Sequence, residues 1–151
     1  MKYETTRFGR IEVTEEEIIT MPSGPLGFPD CTRFIFVDED RAVPFRIFQS
    51  LDNPALAFVV CDPLIFRPDY LFEVTFDDLR YLDTDTTDGL HCYCIVSMAK
   101  SIHEVTVNLQ GPLVINTKDK IGHQFVICNS EYTTRERLLN SAAKAVKVGL
   151  G

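Results

Sequence analysis

Short apolar runs, separated by clusters of turn-forming residues, dominate this chain up to about residue 130. Most of the runs are rich in Val, Ile, Phe and Tyr, which is the composition typical of β-strands. Short strands at such regular spacing indicate an antiparallel barrel or a sandwich. The strands are predicted at residues 3–8, 11–13, 18–21, 33–37, 45–49, 56–61, 90–98, 105–109, 113–116 and 124–128.

The run at residues 56–61 is the most informative part of the pattern. It is almost wholly apolar and lies between an Asn-Pro pair at 53–54 and an Asp-Pro pair at 62–63, which predicts a strand buried on both faces. The segment that follows mixes aromatic and acidic residues, namely Phe66, Asp69, Tyr70, Phe72 and Glu73. A buried strand leading into such a segment suggests a surface that holds another protein.

Two helices are predicted besides the strands. Thr75 and Asp78 have the spacing of a capping box, which predicts a short helix ending near Leu82. Residues 134–148 predict a C-terminal helix, whose apolar stripe is Leu138, Leu139, Ala142 and Val146. Because so short a helix is marginal in water, we expect the stripe to pack on the rest of the chain or on a second copy. The chain therefore divides into a β domain, residues 1–135, and an amphipathic helical tail, residues 136–151.

Composition limits the partners that such a protein can have. The chain has 151 residues, of which 45% are apolar, so it can bury one compact core. Its net charge of −7 and pI of about 4.9 argue against direct binding to nucleic acid and favour basic or amphipathic protein partners. Residues 131–151 carry four bases and two acids, so the negative charge lies in the residues before them.

Cysteine usage and the N-terminal sequence indicate the compartment. The five cysteines include no Cys-x-x-Cys pair and do not form a disulfide framework, which favours a reducing environment. The first residues lack the apolar segment of a signal peptide, and no run approaches the length of a membrane span. We expect a cytoplasmic protein that does not enter a membrane.

No catalytic or cofactor motif can be assembled from the sequence. The glycines are too scattered for a phosphate loop or a dinucleotide fingerprint. Cys92 and Cys94 have histidines nearby, but their spacing is not that of a zinc module, and core cysteines are the favoured interpretation. The acidic stretch at residues 77–88 lacks the EF-hand pattern, so a solvated face is favoured over a calcium site. We therefore expect no catalytic residues, no metal and no cofactor.

Two segments are candidates for partner binding. The loop at residues 21–28 presents apolar side chains that suit an amphipathic helix, although the same side chains can instead pin the loop to the core. The segment at residues 66–73 can form an aromatic and acidic docking edge, with a core role favoured for Phe66 and Phe72 and both roles open for Tyr70. The predicted partner-binding residues are Met21, Leu26, Phe28, Phe66, Asp69 and Tyr70, with an acidic patch at Glu73, Asp77 and Asp78.

Short motifs along the chain add a family resemblance. They are Thr5-Thr6-Arg7-Phe8-Gly9, Pro22 to Phe28, Phe48-Gln49-Ser50, Leu56 to Val60, Asp62-Pro63, Pro68-Asp69-Tyr70, Val107-Asn108-Leu109, Pro112 to Asn116 and Tyr132 to Arg135. In this order and at this spacing they closely resemble the FliW family of flagellar assembly factors over about residues 1–135. The chain departs from the family's pattern at Ser23 and in the predicted tail, which extends beyond the family's usual end.

The resemblance implies a non-catalytic cytoplasmic protein with a small antiparallel β-barrel-like fold, one short helix and a C-terminal helix. FliW-like proteins bind flagellin subunits before export, and in many bacteria they bind the RNA-binding translational repressor CsrA. Free FliW then antagonises CsrA, and flagellin competes for FliW, so that flagellin synthesis follows export. Two alternatives stay open at this stage: a small-molecule- or cofactor-binding β-barrel enzyme, and a structural subunit of a larger assembly.

Overall fold

The computed structural model describes residues 1–128 and 131–139, and in this part of the chain β-structure predominates, as predicted. The strands are β1 Lys2–Thr5, β2 Gly9–Glu12, β3 Ile19–Thr20, β4 Arg33–Val37, β5 Arg46–Ser50, β6 Ala57–Cys61, β7 Leu90–Ser97, β8 Thr106–Val107, β9 Leu113–Asn116, β10 Ile121–Gln124 and β11 Glu136–Arg137. The helices are α1 Pro63–Phe66 and α2 Phe76–Arg80, with 3₁₀ turns at Glu15–Glu17, Asp40–Ala42 and Ile102–Glu104.

Seven of these strands close into a barrel-like ring. Their order is β7, β6, β5, β4, β3, β10, β9 and back to β7, because residues 90–93 of β7 pair with β9 while residues 94–96 pair with β6. All neighbours in the ring are antiparallel except β3 and β10, which share one parallel pair. The end of β7 also pairs with β8, which carries β11 on its other side. Closure of the ring removes most of the free strand edges.

Aromatic and aliphatic side chains fill the interior of the ring. The rings of Phe34 on β4 and Phe48 on β5 stack with their centroids 4.4 Å apart, and Met21 is fully buried in the same cluster. A Cβ on Gly122 of β10 would lie 2.7 Å from the Cδ1 atom of Ile115 and 3.3 Å from Cγ of Met21. A larger residue at position 122 therefore requires these interior side chains to shift.

Because side chains alternate between the two faces of a strand, the outer face of the ring also carries apolar residues that must be covered. The β1–β2 hairpin belongs to a cluster with Val13 and Ile35 on one side. Leu82, just after α2, packs with Val114 on a second side. The third side, over β6 to β8, is covered by α1, by the segment after it and by the C-terminal residues. The buried residues of this cluster are Cys61, Tyr70, Cys94, Val96, Val105, Val107, Leu109, Tyr132 and Leu138.

Several predicted elements are confirmed, and one strand is displaced. β4 coincides with the strand predicted at residues 33–37. The predicted capping box begins α2, where the N–H of Asp78 donates to Oγ1 of Thr75 at 3.1 Å and the Thr75 N–H donates to Oδ2 of Asp78 at 2.9 Å. The prediction of a strand at residues 124–128 is wrong beyond Gln124, which is the last residue of β10. The N–H groups of Phe125 and Ile127 still donate to the carbonyls of Pro112 and Gln110, but Pro112 has no N–H to return a bond, and β10 ends at Gln124.

The tail helix does not begin at Thr134 as predicted. Glu136 and Arg137 instead form β11 against β8, and the N–H of Leu138 donates to the Val105 carbonyl at 3.0 Å. Helical backbone starts only at Leu138, whose side chain is 1% exposed. Tertiary pairing with β8 thus overrides the local helical pattern up to residue 137. The rest of the predicted helix, with Ala142 and Val146, lies outside the described residues.

Candidate functional site

The end of β6 presents two apolar side chains to solvent. Asp62 caps α1, since its Oδ1 accepts the N–H of Leu64 at 2.9 Å, and Pro63 has the φ angle that a first helical turn needs. This single turn directs Leu64 and Ile65 outward, with 50% and 57% of their surfaces exposed. Neither Leu64 nor Ile65 was predicted from the sequence, although the Asp-Pro pair at residues 62–63 is a signal for a helix start.

The segment after α1 is held to the body of the protein by a buried arginine. Nε of Arg67 lies 3.2 Å from Oδ1 of Asp69, and its Nη1 lies 3.9 Å from Oε1 of Glu136. Its guanidinium group also lies over the ring of Tyr132, 4.9 Å from the centroid. Asp69 therefore has a structural partner within its own turn, and its proposed role in partner binding stays a prediction.

Tyr70 is a core residue. It is 6% exposed, its hydroxyl donates to the Leu109 carbonyl at 2.7 Å, and burial raises its pKa well above the usual value. Met21 is 0% exposed in the interior of the ring. Their burial places both side chains away from the surface of this structure, and their role as partner-binding residues stays a prediction. Phe66 is half-buried, and its ring stacks on that of Phe45 with centroids 6.0 Å apart.

An open groove runs along this side of the molecule, formed by three depressions that share lining residues. The first, of about 520 Å³, is lined by Leu71, Phe72, Glu73, Val126, Ile127 and Cys128. The second, of about 170 Å³, shares Phe72 and is lined further by Val74, Thr87, Leu90, His91, Cys92 and Val114. The third, of about 460 Å³, shares residues 90–92 and extends to Pro44, Arg46, Asp62, Leu64, Ile65 and Tyr93. Together these three depressions form the groove.

Exposed apolar side chains and carboxylates border the groove. Leu71 is 75% exposed and Val126 is 64% exposed, and both line the first depression. Asp62 and Glu73 lie on the rim, and no ion pair among residues 1–128 and 131–139 neutralises either of them. The groove therefore combines apolar contact area with negative charge.

The one arginine that lines the groove is already neutralised. Nε of Arg46 lies 2.8 Å from Oδ1 of Asp38, and this bond raises the pKa of the Arg46 guanidinium and lowers that of the Asp38 carboxyl. Arg46 also donates to the hydroxyl of Tyr93 at 2.9 Å and stacks over Phe36. The guanidinium therefore contributes little free positive charge to the groove.

The structure divides the predicted acidic patch. Glu73 lines the groove, but Asp78 is engaged in the capping box of α2 and Asp77 lies 3.8 Å from Nη1 of the exposed Arg80. The groove and α2 thus carry separate acidic features. Of the three patch residues, Glu73 is the one that the groove brings next to exposed apolar side chains.

The loop at residues 22–30 forms a second exposed apolar surface. A Cβ at Gly24, whose φ is +66°, would collide with the carbonyl oxygen of Phe28, so the loop needs a glycine there. The N–H of Leu26 donates to Oε1 of Gln124 at 2.8 Å, and the ring of Phe28 packs edge-on against Phe58 at 5.8 Å. Leu26 is 54% exposed and Phe28 is 37% exposed. Both side chains are exposed, and their role in partner binding stays a prediction.

Two cysteines in the core cluster that covers β6 to β8 are poorly suited to nucleophilic chemistry. Burial raises the pKa of Cys61 to about 12, while a hydrogen bond to Cys92 together with burial raises that of Cys94. Protonated thiols are weak nucleophiles. Cys94 is fully buried, which confirms its interpretation as a core cysteine. Within the described residues, no three or more His, Cys, Asp or Glu side chains come together as metal ligands would.

None of the helices in residues 1–128 and 131–139 has the length and the apolar character needed to span a bilayer. The groove can hold a partner by apolar contact and by charge.

Comparisons with known proteins agree on one family. A family model described as FliW protein matches residues 2–138. A protein of Alkaliphilus metalliredigens named "Flagellar assembly factor FliW" is 41% identical over 145 residues, covering 95% of this chain and 90% of the relative. A protein of Geobacter sulfurreducens with the same name is 38% identical over 149 residues, covering 99% and 93%. A crystal structure titled as the flagellar assembly factor FliW superposes with a TM-score of 0.85 at 32% identity, covering 91% of this chain and 96% of the other.

Proposed function

The chain belongs to the FliW family, and from that premise we propose that it is a non-catalytic flagellar assembly factor that holds flagellin in the cytoplasm before export. The relatives that share almost the whole chain are named flagellar assembly factors. The observation that carries the proposal is the groove, where exposed Leu71 and Val126 lie beside the carboxylate of Glu73. This chemistry suits reversible protein binding.

The second part of the proposal concerns translation. Where the host has a CsrA-type RNA-binding regulator, the chain binds it and antagonises its repression, and flagellin competes for the chain. An RNA-binding protein carries clustered Lys and Arg to contact phosphates, so its surface is complementary to a chain with a net charge of −7. Attraction of this kind mainly accelerates association and selects the partner.

Titration calorimetry with purified monomeric flagellin tests the proposal. We expect one chain per flagellin with a dissociation constant of about 10 µM or tighter, because export requires capture that is specific and reversible. A flagellin without its terminal helices serves as the control and gives no heat. CsrA, titrated into the preformed complex, should bind more weakly than to the free chain. If wild-type flagellin gives neither heat nor co-elution at tens of micromolar, roughly the weak end of specific binding, the proposed function is wrong.

A further inference from the structure

We propose that the groove receives a helix of the partner, and that this helix carries an apolar stripe flanked by Lys or Arg. The proposal deepens the proposed function and rests on it for the class of partner, since it assigns the contact surface and the chemistry that the surface selects. It assigns the contact to α1, to the segment at residues 71–73 and to residues 126–128, in place of the buried Met21 and Tyr70.

The apolar part of the argument comes from where the exposed side chains lie. Leu64 and Ile65 border one end of the groove, and Leu71 and Val126 border the other, each at least half exposed. Between them lies the apolar depression of about 170 Å³. An elongated apolar furrow is the shape that accepts the stripe of an amphipathic helix, which offers anchors at intervals of three and four residues.

The walls of the groove are held in place before any partner binds. The N–H of Leu71 donates to the hydroxyl of Tyr132 at 3.0 Å, and Tyr70 packs its ring on Tyr132 with the centroids 4.7 Å apart. The floor is β7, which pairs with three other strands. A surface fixed in this way loses little conformational entropy on binding, which favours affinity.

Charge decides which amphipathic helix fits. Asp62 and Glu73 are the rim carboxylates, and Arg46, the one arginine lining the groove, is paired with Asp38. Bases on the partner helix would meet these carboxylates, whereas acids would be repelled. The attraction is screened beyond about 8 Å at physiological salt, so it acts on side chains that border the stripe and not on distant ones.

Fluorescence anisotropy with two synthetic peptides tests the proposal. Both are helices of about 18 residues with the same leucine stripe, flanked by lysines in one and by glutamates in the other. We expect the full chain to bind the lysine peptide and to bind the glutamate peptide at least about tenfold more weakly. Ile65→Ser or Val126→Ser should lower the affinity for the lysine peptide about tenfold. Leu26→Ser, at a similarly exposed position outside the groove, should leave that affinity unchanged. Glu73→Lys should lower the affinity for the lysine peptide and raise the affinity for the glutamate peptide.

The outcomes separate this inference from the proposed function. Absence of binding by both peptides, equal binding of both, or loss of binding only in Leu26→Ser would each overturn the groove assignment. Unfolding curves of every variant show whether the fold is intact, and all four substitutions lie at exposed positions. If the chain binds the lysine peptide through the groove but does not bind flagellin, the groove assignment stands and the flagellin proposal fails. If flagellin binds with the same affinity to wild type, Ile65→Ser and Val126→Ser, the flagellin proposal stands and the groove assignment fails.

Discussion

Tyr70 is a core residue that lies beside the proposed binding surface. Its hydroxyl is the donor to the buried Leu109 carbonyl, and its ring packs on Tyr132. We predict that Tyr70→Phe lowers the free energy of unfolding by about 1–3 kcal/mol, because the carbonyl loses its hydrogen-bond donor inside the core. Urea denaturation provides the measurement.

The matched control for this substitution is Tyr81→Phe, since Tyr81 is 55% exposed. Removal of that hydroxyl should change the free energy of unfolding by less than about 0.5 kcal/mol. The affinity for flagellin should be the same for wild type and Tyr70→Phe under conditions where both are folded. A Tyr70→Phe variant with full stability and weakened flagellin binding would restore Tyr70 as a contact residue and contradict its assignment to the core.

Single residues also show why part of the site could not be predicted from the sequence. Met21 and Leu26 lie in the same breaker-rich loop, yet one is fully buried and the other is half exposed. The difference depends on the ring interior, where Met21 meets Phe34 and Phe48, and on Gln124, which accepts the N–H of Leu26. These contacts are distant in sequence, so the local apolar pattern carries no information about them.

At the scale of elements, the position of β11 predicts how truncation changes the stability of the fold. β11 pairs with β8, and Leu138 is buried in the same cluster as Tyr70. We predict that a chain ending at Arg135 is less stable by at least about 3 kcal/mol than a chain ending at Leu139, because the shorter chain loses the strand pair and the buried leucine. Thermal and urea unfolding of the two truncated chains supply the comparison.

This comparison isolates residues 136–139, since both chains lack everything after Leu139. Arg67→Met in the chain ending at Leu139 serves as the control for the ion pair with Glu136. If the two truncated chains unfold at the same urea concentration, β11 contributes nothing to the fold and the described packing of Leu138 is wrong.

Elements differ in how far the sequence determines them. α2 was predictable because its capping box is a local device in which Thr75 and Asp78 satisfy each other's backbone. β11 was not predictable in this way, because pairing with β8 and the contact of Arg67 with Glu136 outweigh the periodic apolar pattern. Both interactions join residues that are far apart in the chain. α1 was overlooked because a single turn carries too little periodicity to be recognised.

At the scale of the whole molecule, the ring and the groove have different origins. The mostly β class and the barrel-like closure follow from regularly spaced short strands, which the sequence displays. The groove forms where α1, residues 71–73 and residues 126–128 meet over β7, and each piece is unremarkable in the sequence alone. The family resemblance, stated from motifs, is confirmed by the match over residues 2–138 and by the superposition at a TM-score of 0.85.

The most direct test of the central claim, that this chain holds flagellin through the groove, is hydrogen–deuterium exchange with and without saturating flagellin monomer. We predict slower amide exchange in the complex at residues 62–73, 90–93 and 126–128, because a bound helix excludes water from these segments. Residues 24–28 should exchange at the same rate in both states. Protection confined to residues 24–28, or no protection although the complex has formed, would contradict the claim.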